Sequence, residues 1–544
     1  MKSNISKYIE EHINTPVFFI SAFIIIFLAF IGFFFPEQFE SIVLDINKFV
    51  ITTFDWLIVG SMTIFFLVVM YLFFSKYGSI KLGGDYSKPE YSYKAWISML
   101  FSAGMGIGIL FYGVAEPITH YNSPPVIEEN NQVTAMNYTY LNWGLHAWAT
   151  YVIVGLSLAY MGYRRGLPFS FRFTFYPLLK DKVYKWPGHV IDIFAVVSTL
   201  FGVATSLGLG VIQINTGLNY LFGIEQSIAN KISLILLITS LATFSVVSGV
   251  KRGIKWFSIT NMTLGIFLIS FVLIFGPTYH IISQFFLNTG IYVKDFIDLS
   301  LVKTFTIDSS WLSGWTLFYW AWWISWAPYV GMFIARISKG RTIKEFIFGV
   351  LFIPTILTLL WFSVFGNAAI YIFGDNPELT SVIEENVATS LFVLLSQLPF
   401  AQIVSSLSVV LIITFFVTSS DSGSYVIDLI TSGGKGYSVK SQRAFWSILQ
   451  GLTAAVLLIG GGLVALQTAV ITMAIPFSII LVLMCVSILI GLRTEFYTEN
   501  ALKSMNLEDL KAQVKGHANY DDQHPVKNPY LSHPVPKNRK KKEE

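Results

Sequence analysis

Apolar residues run along this chain in stretches of about twenty, separated by short polar breaks, from Thr15 nearly to the C-terminal tail. A helix of that length crosses a hydrocarbon core of about 30 Å, and the breaks predict about twelve such helices. They fall near residues 15–36, 50–74, 94–115, 141–163, 188–222, 227–249, 256–279, 310–336, 344–373, 393–420, 442–462 and 464–492. The polar start, Met1 to Glu11, and the first run, Thr15 to Phe35, carry no small-residue cleavage site, so the first helix is predicted to stay.

Loop charge sets the orientation. Lys76, Lys81 and Lys88 follow the second helix, and Arg164, Arg165, Arg172, Lys180, Lys182 and Lys185 follow the fourth. Later alternate loops hold Lys251, Arg252 and Lys255, then Arg336, Lys339 and Arg341, then Lys435, Lys440 and Arg443. The intervening loops are acidic or uncharged, with Glu37, Glu40 and Asp45 in one, Glu128 and Glu129 in another, and Asp375, Glu378, Glu384 and Glu385 in a third. The positive-inside rule then predicts a multi-pass protein of the inner (cell) membrane with both termini cytoplasmic.

Residues 280–309 depart from this pattern. Phe285, Phe286, Ile291, Tyr292, Phe296, Ile297 and Leu301 alternate with Lys294, Asp295 and Asp298, the composition of an amphipathic helix in the outer interface. That segment divides the chain into an N-terminal region with two peripheral helices (1–93), a five-helix unit (94–279), the interfacial helix (280–309), a second five-helix unit (310–492) and a polar tail (493–544). The predicted fold is an all-α membrane protein built as a five-plus-five inverted repeat. Such repeats place a substrate at the midplane, where broken helices expose backbone groups, so the first helix of each half is predicted to be interrupted.

Composition agrees with the bilayer reading: of 544 residues 54% are hydrophobic and 12% charged, about half the charge of a soluble domain. The net charge of +4 is scattered through short loops rather than gathered on one face, which argues against nucleic acid. A single cysteine, Cys485, permits neither an intramolecular disulfide nor a thiolate metal cluster. With no nucleophile–base pair either, no enzyme activity and no cofactor are expected.

The third helix contains Gly104-Met105-Gly106-Ile107-Gly108 and runs on to Glu116-Pro117. Gly104 and Gly108 suit close helix packing. Three alternate glycines, each costing about 0.8–1 kcal/mol in a helix interior, exceed what packing needs and suit an unwound segment with free backbone groups. On the eighth helix Tyr319, Trp322, Trp323 and Trp326 follow the spacing of one helical face, as a packing stripe or as a binding surface, while Trp311 and Trp315 lie where interfacial belt residues gather. On the fourth, Trp143, Trp148 and Tyr151 fall within about 140° of the circumference. Facing ring clusters hold a quaternary ammonium by their quadrupoles, each ring contributing about 0.5–2 kcal/mol.

The glycine run ending in Glu116-Pro117, together with Trp322-Trp323-Ile324-Ser325-Trp326 leading to the stretch from Gly331 to Arg341, resembles the betaine/choline/carnitine transporter family over about residues 90–490. The motifs are closest to its sodium-coupled glycine betaine members. The resemblance implies the five-plus-five fold assembled as a homotrimer. It also implies a box of Trp143, Trp148, Tyr151 and Trp323, with Trp322 and Trp326 lining the pathway.

Thr418 and Ser419 stand at the predicted end of the tenth helix, where hydroxyls cap or back-bond the chain or serve as hard ligands for sodium. The resemblance implies the second role, with carbonyls from Ser102, Met105 and Phe415 completing the shell. Proton-coupled choline transporters of the family carry Asp where this chain has Gly108, and sodium-independent exchangers carry a cation where it has Asn261; both positions imply sodium. The central stretches of helices three, eight and ten lack Asp, Glu, Lys and His, so a proton relay has no visible groups. His146 reads as a packed neutral side chain. Thr199 is a candidate for a second sodium, although Val203 one turn on cannot ligate.

The expected activity is sodium-coupled import of a quaternary ammonium osmolyte, glycine betaine first, for osmoprotection. Its carboxylate would meet backbone N–H groups near Gly104, Met105, Gly106 and Gly108. Rival readings are transport of choline, carnitine or proline betaine, a gated channel, and an osmosensor without transport. The tail, with Pro525, Pro529, Pro534, Pro536 and Arg539 to Lys542, reads either as a solvated segment or as a latch on anionic lipid or a neighbouring subunit.

Overall fold

A computed structural model describes residues 12–104, 106–126, 131–248, 250–304, 307–434 and 439–504. Met105, Glu128, Glu129, Lys435 and the basic tail from 505 onward lie outside these residues. One compact unit ends at Leu489 and a second begins at Ile490.

The long helices are α1 (Thr15–Phe34), α2 (Pro36–Phe74), α3 (Tyr93–Gly104), α4 (Ile107–Asn122), α5 (Asn131–Trp143), α6 (Leu145–Ala159), α7 (Trp186–Phe222), α8 (Ile228–Ser248), α9 (Val250–Phe275), α10 (Thr278–Asp298) and α11 (Phe318–Ile337). They continue with α12 (Ile343–Phe373), which contains π turns, and with α13 (Pro377–Glu385), α14 (Val387–Ser396), α15 (Ala401–Thr431), α16 (Lys440–Ile459) and α17 (Gly462–Ser504). Among the described residues ten helical stretches are long and apolar enough to span a bilayer, and the pair α13–α14, bent by 119°, raises this to eleven. The broken pair α3–α4 and α11 fall outside that criterion; in α11 the dense Trp and Tyr lower the apparent apolarity.

The predicted interruption of the third helix is present. Helix α3 stops at Gly104, Gly106 is extended (φ −159°, ψ −175°), and α4 starts at Ile107. The counterpart in the second half is different: Ser309–Leu312, a π turn at Ser313–Leu317 and α11 follow one another as helix. Its sequence holds Trp and Ala where the first half alternates glycines, and those residues sustain helix.

Boundaries moved where polar residues suggested an end. Helix α4 continues through Glu116 and His120, and α15 continues past Thr418 and Ser419 through Asp421 and Asp428. All four ionisable side chains are buried. The polar groups missing from the predicted central stretches are therefore carried by the same helices, one to three turns farther on. Helix α10 follows the amphipathic pattern with a twist: Phe286, Val293 and Ile297 are exposed, whereas Asn288 and Tyr292 are buried.

Two glycines set how α6 and α11 meet. A Cβ on Gly331 would fall 2.4 Å from Val154 Cγ1 and 3.1 Å from the nitrogen of Gly155. Small residues let helix backbones approach in a membrane, where no hydrophobic drive separates protein from lipid. This contact lies about one turn beyond Tyr151 and two beyond Trp148 on α6, and a little over two turns beyond Trp322 and Trp323 on α11, so it aligns the aromatic segments of the two helices.

Before α7 the chain is pinned by a buried ion pair. Asp192 of α7 accepts from the guanidinium of Arg172, from the Arg172 backbone N–H at 2.9 Å and from Ser170 Oγ at 2.7 Å. The Arg172 and Asp192 side chains are 2% and 0% exposed, so either one alone would be a buried uncompensated charge. Breaking such a pair costs about 3–5 kcal/mol. Arg172→Met is therefore expected to lower the temperature at which the detergent-solubilised protein loses its monodisperse elution peak; an unchanged transition would show that the pair contributes nothing net.

Candidate functional site

The aromatic residues singled out in the sequence come together around the break between α3 and α4. Trp143, Trp148, Tyr151, Trp322, Trp323 and Trp326 line one cavity of about 40 Å³ with Gly106 and Gly108, room for about three water molecules. Trp322 and Trp323 stack at 5.3 Å and 11°, Trp143 meets Trp323 edge-on at 4.7 Å, and Trp148 meets Tyr151 edge-on at 5.4 Å. None of the lining residues carries a charge.

The single-face argument for Trp143, Trp148 and Tyr151 needs correction. Gly144 is non-helical (φ −90°, ψ −129°), which leaves Trp143 as the last residue of α5 and the other two on α6. Tyr292 of α10 fills this notch: its hydroxyl accepts from the Leu145 N–H at 3.3 Å, and a Cβ on Gly144 would sit 2.8 Å from that oxygen. Trp143 is thus aimed by the break rather than by helical periodicity.

Four of the five indole N–H groups around the cavity donate to an acceptor. Trp322 and Trp326 both donate to the carbonyl of Gly202 on α7, at 3.2 and 2.9 Å. Trp323 donates to the carbonyl of Asn142 at 2.8 Å, and Trp143 donates to Glu116 Oε2 at 2.6 Å. With the edges held in these bonds, the ring faces are left for an occupant. Gly108 fits between two of the rings, where a Cβ would come within 2.8 Å of Trp322 and 2.9 Å of Trp143. That steric demand is independent of any ion and explains why the third glycine is needed.

Glu116 was quoted in the sequence as part of a motif and given no role. Its Oε1 accepts from Asn142 Nδ2 at 2.8 Å and lies 3.3 Å from His120 Nε2, and both ionisable side chains are fully buried. An ionisable group in an apolar span is the sequence signal that marks such a position. Trp311 and Trp315, expected in the interfacial belt, lie against His120 at ring distances of 4.8 and 4.7 Å. His146 is wedged between Trp320 at 4.7 Å and Phe296 at 5.0 Å, consistent with a packed side chain.

The residues expected to hold sodium are divided in what they show. Thr418 Oγ1 is placed to donate to the carbonyls of Thr414 and Phe415 and accepts from Asn261 Nδ2 at 3.1 Å. Ser419 is buried in mid-helix, not at a helix end. Ser102 lies in the last turn of α3, and Met105 lies outside the described residues. Thr199 donates to the carbonyl of Ala195 at 2.6 Å, and Val203 one turn on packs near Gly423 of α15.

Residues 16–497 match the family described as BCCT, betaine/carnitine/choline family transporter. The chain is 43% identical to a glycine betaine transporter of Acinetobacter baylyi over 89% of its own length and 74% of that protein. It is 44% identical to glycine betaine transporter 1 of Vibrio parahaemolyticus, covering 91% of this chain and 96% of that one. A glycine betaine/proline/choline transporter of the same organism is 41% identical over 89% and 91% of the two chains. All three relatives are named as transporters and none as an enzyme. With an aromatic cavity at a helix break inside a multi-pass helical bundle, and this match along nearly its whole length, the chain belongs to the betaine/carnitine/choline transporter family.

Proposed function

We propose that the protein is a sodium-coupled symporter that imports glycine betaine across the cell membrane, with both termini cytoplasmic and three copies assembled together. The observation that carries this reading is the uncharged cavity walled by Trp143, Trp148, Tyr151 and Trp323 and floored by Gly106 and Gly108. A trimethylammonium group has no N–H to donate, so ring faces attract its charge without requiring a directed bond. The helix start at Ile107 supplies N–H groups without intrahelical partners, suited to the substrate carboxylate.

Sodium is the proposed co-substrate. Its candidate ligands, Thr418, Ser419 and the carbonyls of Ser102, Met105 and Phe415, are all hard oxygens, the donor type this ion takes. Thr418 Oγ1 keeps one lone pair after its bond from Asn261, and Asn261 contributes a neutral amide where a fixed cation would repel the ion. Bound there, the ion would order the chain around the break and so couple to the box. Choline is the second reading, since the rings meet only the ammonium end that the two compounds share and a relative's name includes choline.

Uptake of labelled glycine betaine into proteoliposomes is expected to require an inward sodium gradient and to saturate; choline uptake driven by a proton gradient alone would overturn both substrate and ion. Trp323→Leu should abolish measurable betaine binding without altering the elution profile, and unchanged affinity would return the stripe to packing. In Gly108→Ala the new methyl group enters the space of Trp143 and Trp322. Betaine affinity is expected to fall about tenfold or more, as overpacking of about 1–3 kcal/mol implies; equal affinity would show that the rings yield freely.

A further inference from the structure

We propose that Glu116 is a positioning residue for the box, one that sets the strength of its cation recognition through the indole of Trp143. The inference rests on the trimethylammonium reading of the cavity. Glu116 itself does not line that cavity; it receives the indole N–H of Trp143, which does, at 2.6 Å.

The geometry gives this carboxylate two routes to the rings. Oε2 takes the N–H of Trp143 directly, and Oε1 takes Nδ2 of Asn142, whose backbone carbonyl in turn accepts the N–H of Trp323 at 2.8 Å. Two of the box rings therefore hang from one buried acidic group. Both oxygens face N–H donors, the arrangement that suits an ionised carboxylate, and such charge-assisted bonds are about twice as strong as neutral ones. His120 Nε2, 3.3 Å from Oε1, and the hydroxyl of Tyr319 are further polar neighbours of this carboxyl group.

A hydrogen bond to a negative acceptor does more than orient an indole. It draws the N–H proton toward the carboxylate and pushes electron density back into the ring, the mutual polarisation expected of linked hydrogen bonds at low dielectric. The face of Trp143 turned to the cavity becomes more negative, and attraction for a cation rises with it. Carboxylate charge thereby reaches the ammonium without standing in the cavity. A carboxylate in direct contact would hold hydration that the substrate must displace.

The alternative is that Glu116 merely satisfies two buried donors, which a neutral acceptor would also do. Glu116→Gln separates the two roles. Gln keeps an oxygen for Trp143, and Asn142 can rotate its amide to offer Oδ1, at present buried without a partner, to the new NH2 group. Binding to the full-length protein in detergent is read by quenching of tryptophan fluorescence. The probes are glycine betaine and tert-butylacetate, which replaces the ammonium nitrogen by carbon at the same shape.

Glu116→Gln is expected to weaken glycine betaine about tenfold and tert-butylacetate less than about twofold. Trp143→Phe, which keeps a ring and removes the donor, should weaken betaine as well. Adding Glu116→Gln to it should then cost less than about a further twofold, because residues acting through one bond do not add. Parallel losses for both probes, additive losses in the double variant, or unchanged betaine affinity in Glu116→Gln would each overturn the proposal. Should Glu116→Gln fail to fold, Trp143→Phe must still lose betaine selectively over tert-butylacetate, or the idea fails. Wild-type protein that bound no trimethylammonium compound would instead overturn the transport reading itself.

Discussion

Inside a bilayer an unpaired indole N–H has no water to turn to, and its burial costs free energy comparable to a lost hydrogen bond. The four tryptophans from α5 and α11 at the cavity are therefore orientated by where acceptors stand, and the acceptors are few: the Gly202 carbonyl, the Asn142 carbonyl and the Glu116 carboxylate. Once these bonds are made, each ring has one edge committed and its face available. Four helices become mutually dependent through them, since α4 supplies Glu116, α5 supplies Asn142 and Trp143, α7 supplies Gly202 and α11 supplies the remaining tryptophans, while α6 adds Trp148 and Tyr151 to the cavity wall.

Missing side chains make the same arrangement possible. Gly202 has Trp326 Cδ1 only 2.9 Å from where a Cβ would stand, and Gly108 and Gly331 are as crowded. Each glycine lets a bulky ring or a second backbone occupy space that any other residue would claim. The break after Gly104 adds free backbone groups beside the rings, which a continuous helix would have bonded internally. The cavity combines uncharged ring faces with a nearby helix start, and the carboxyl group of Glu116 sits one layer back.

Several misplaced boundaries share a cause. Periodicity takes a polar residue as the end of an apolar run, yet Glu116, His120, Asp421 and Asp428 continue their helices as buried side chains, and two of them take hydrogen bonds from other helices. Asp421 accepts from Ser245 of α8 at 2.9 Å, and Glu116 is met by α5. A one-dimensional pattern contains no information about those partners. Trp311 and Trp315 also contact His120, a pairing that depends on how α4 lies against the start of the second half.

Residue order alone determined the helical membrane class, the positions of most spans and the broken third helix, because each follows from local cost: apolar length against bilayer thickness, and glycine against helix propensity. The family resemblance was likewise legible, in the glycine run and in the tryptophan stripe. Only tertiary structure decided that Trp143 is aimed by the notch at Gly144, that Gly108 is demanded by two rings, that Asn261 touches Thr418, and that Glu116 stands behind the box. Those facts are distances between helices far apart in sequence, and a steric or hydrogen-bonding requirement between two chain segments exists only once both have been brought to the same place.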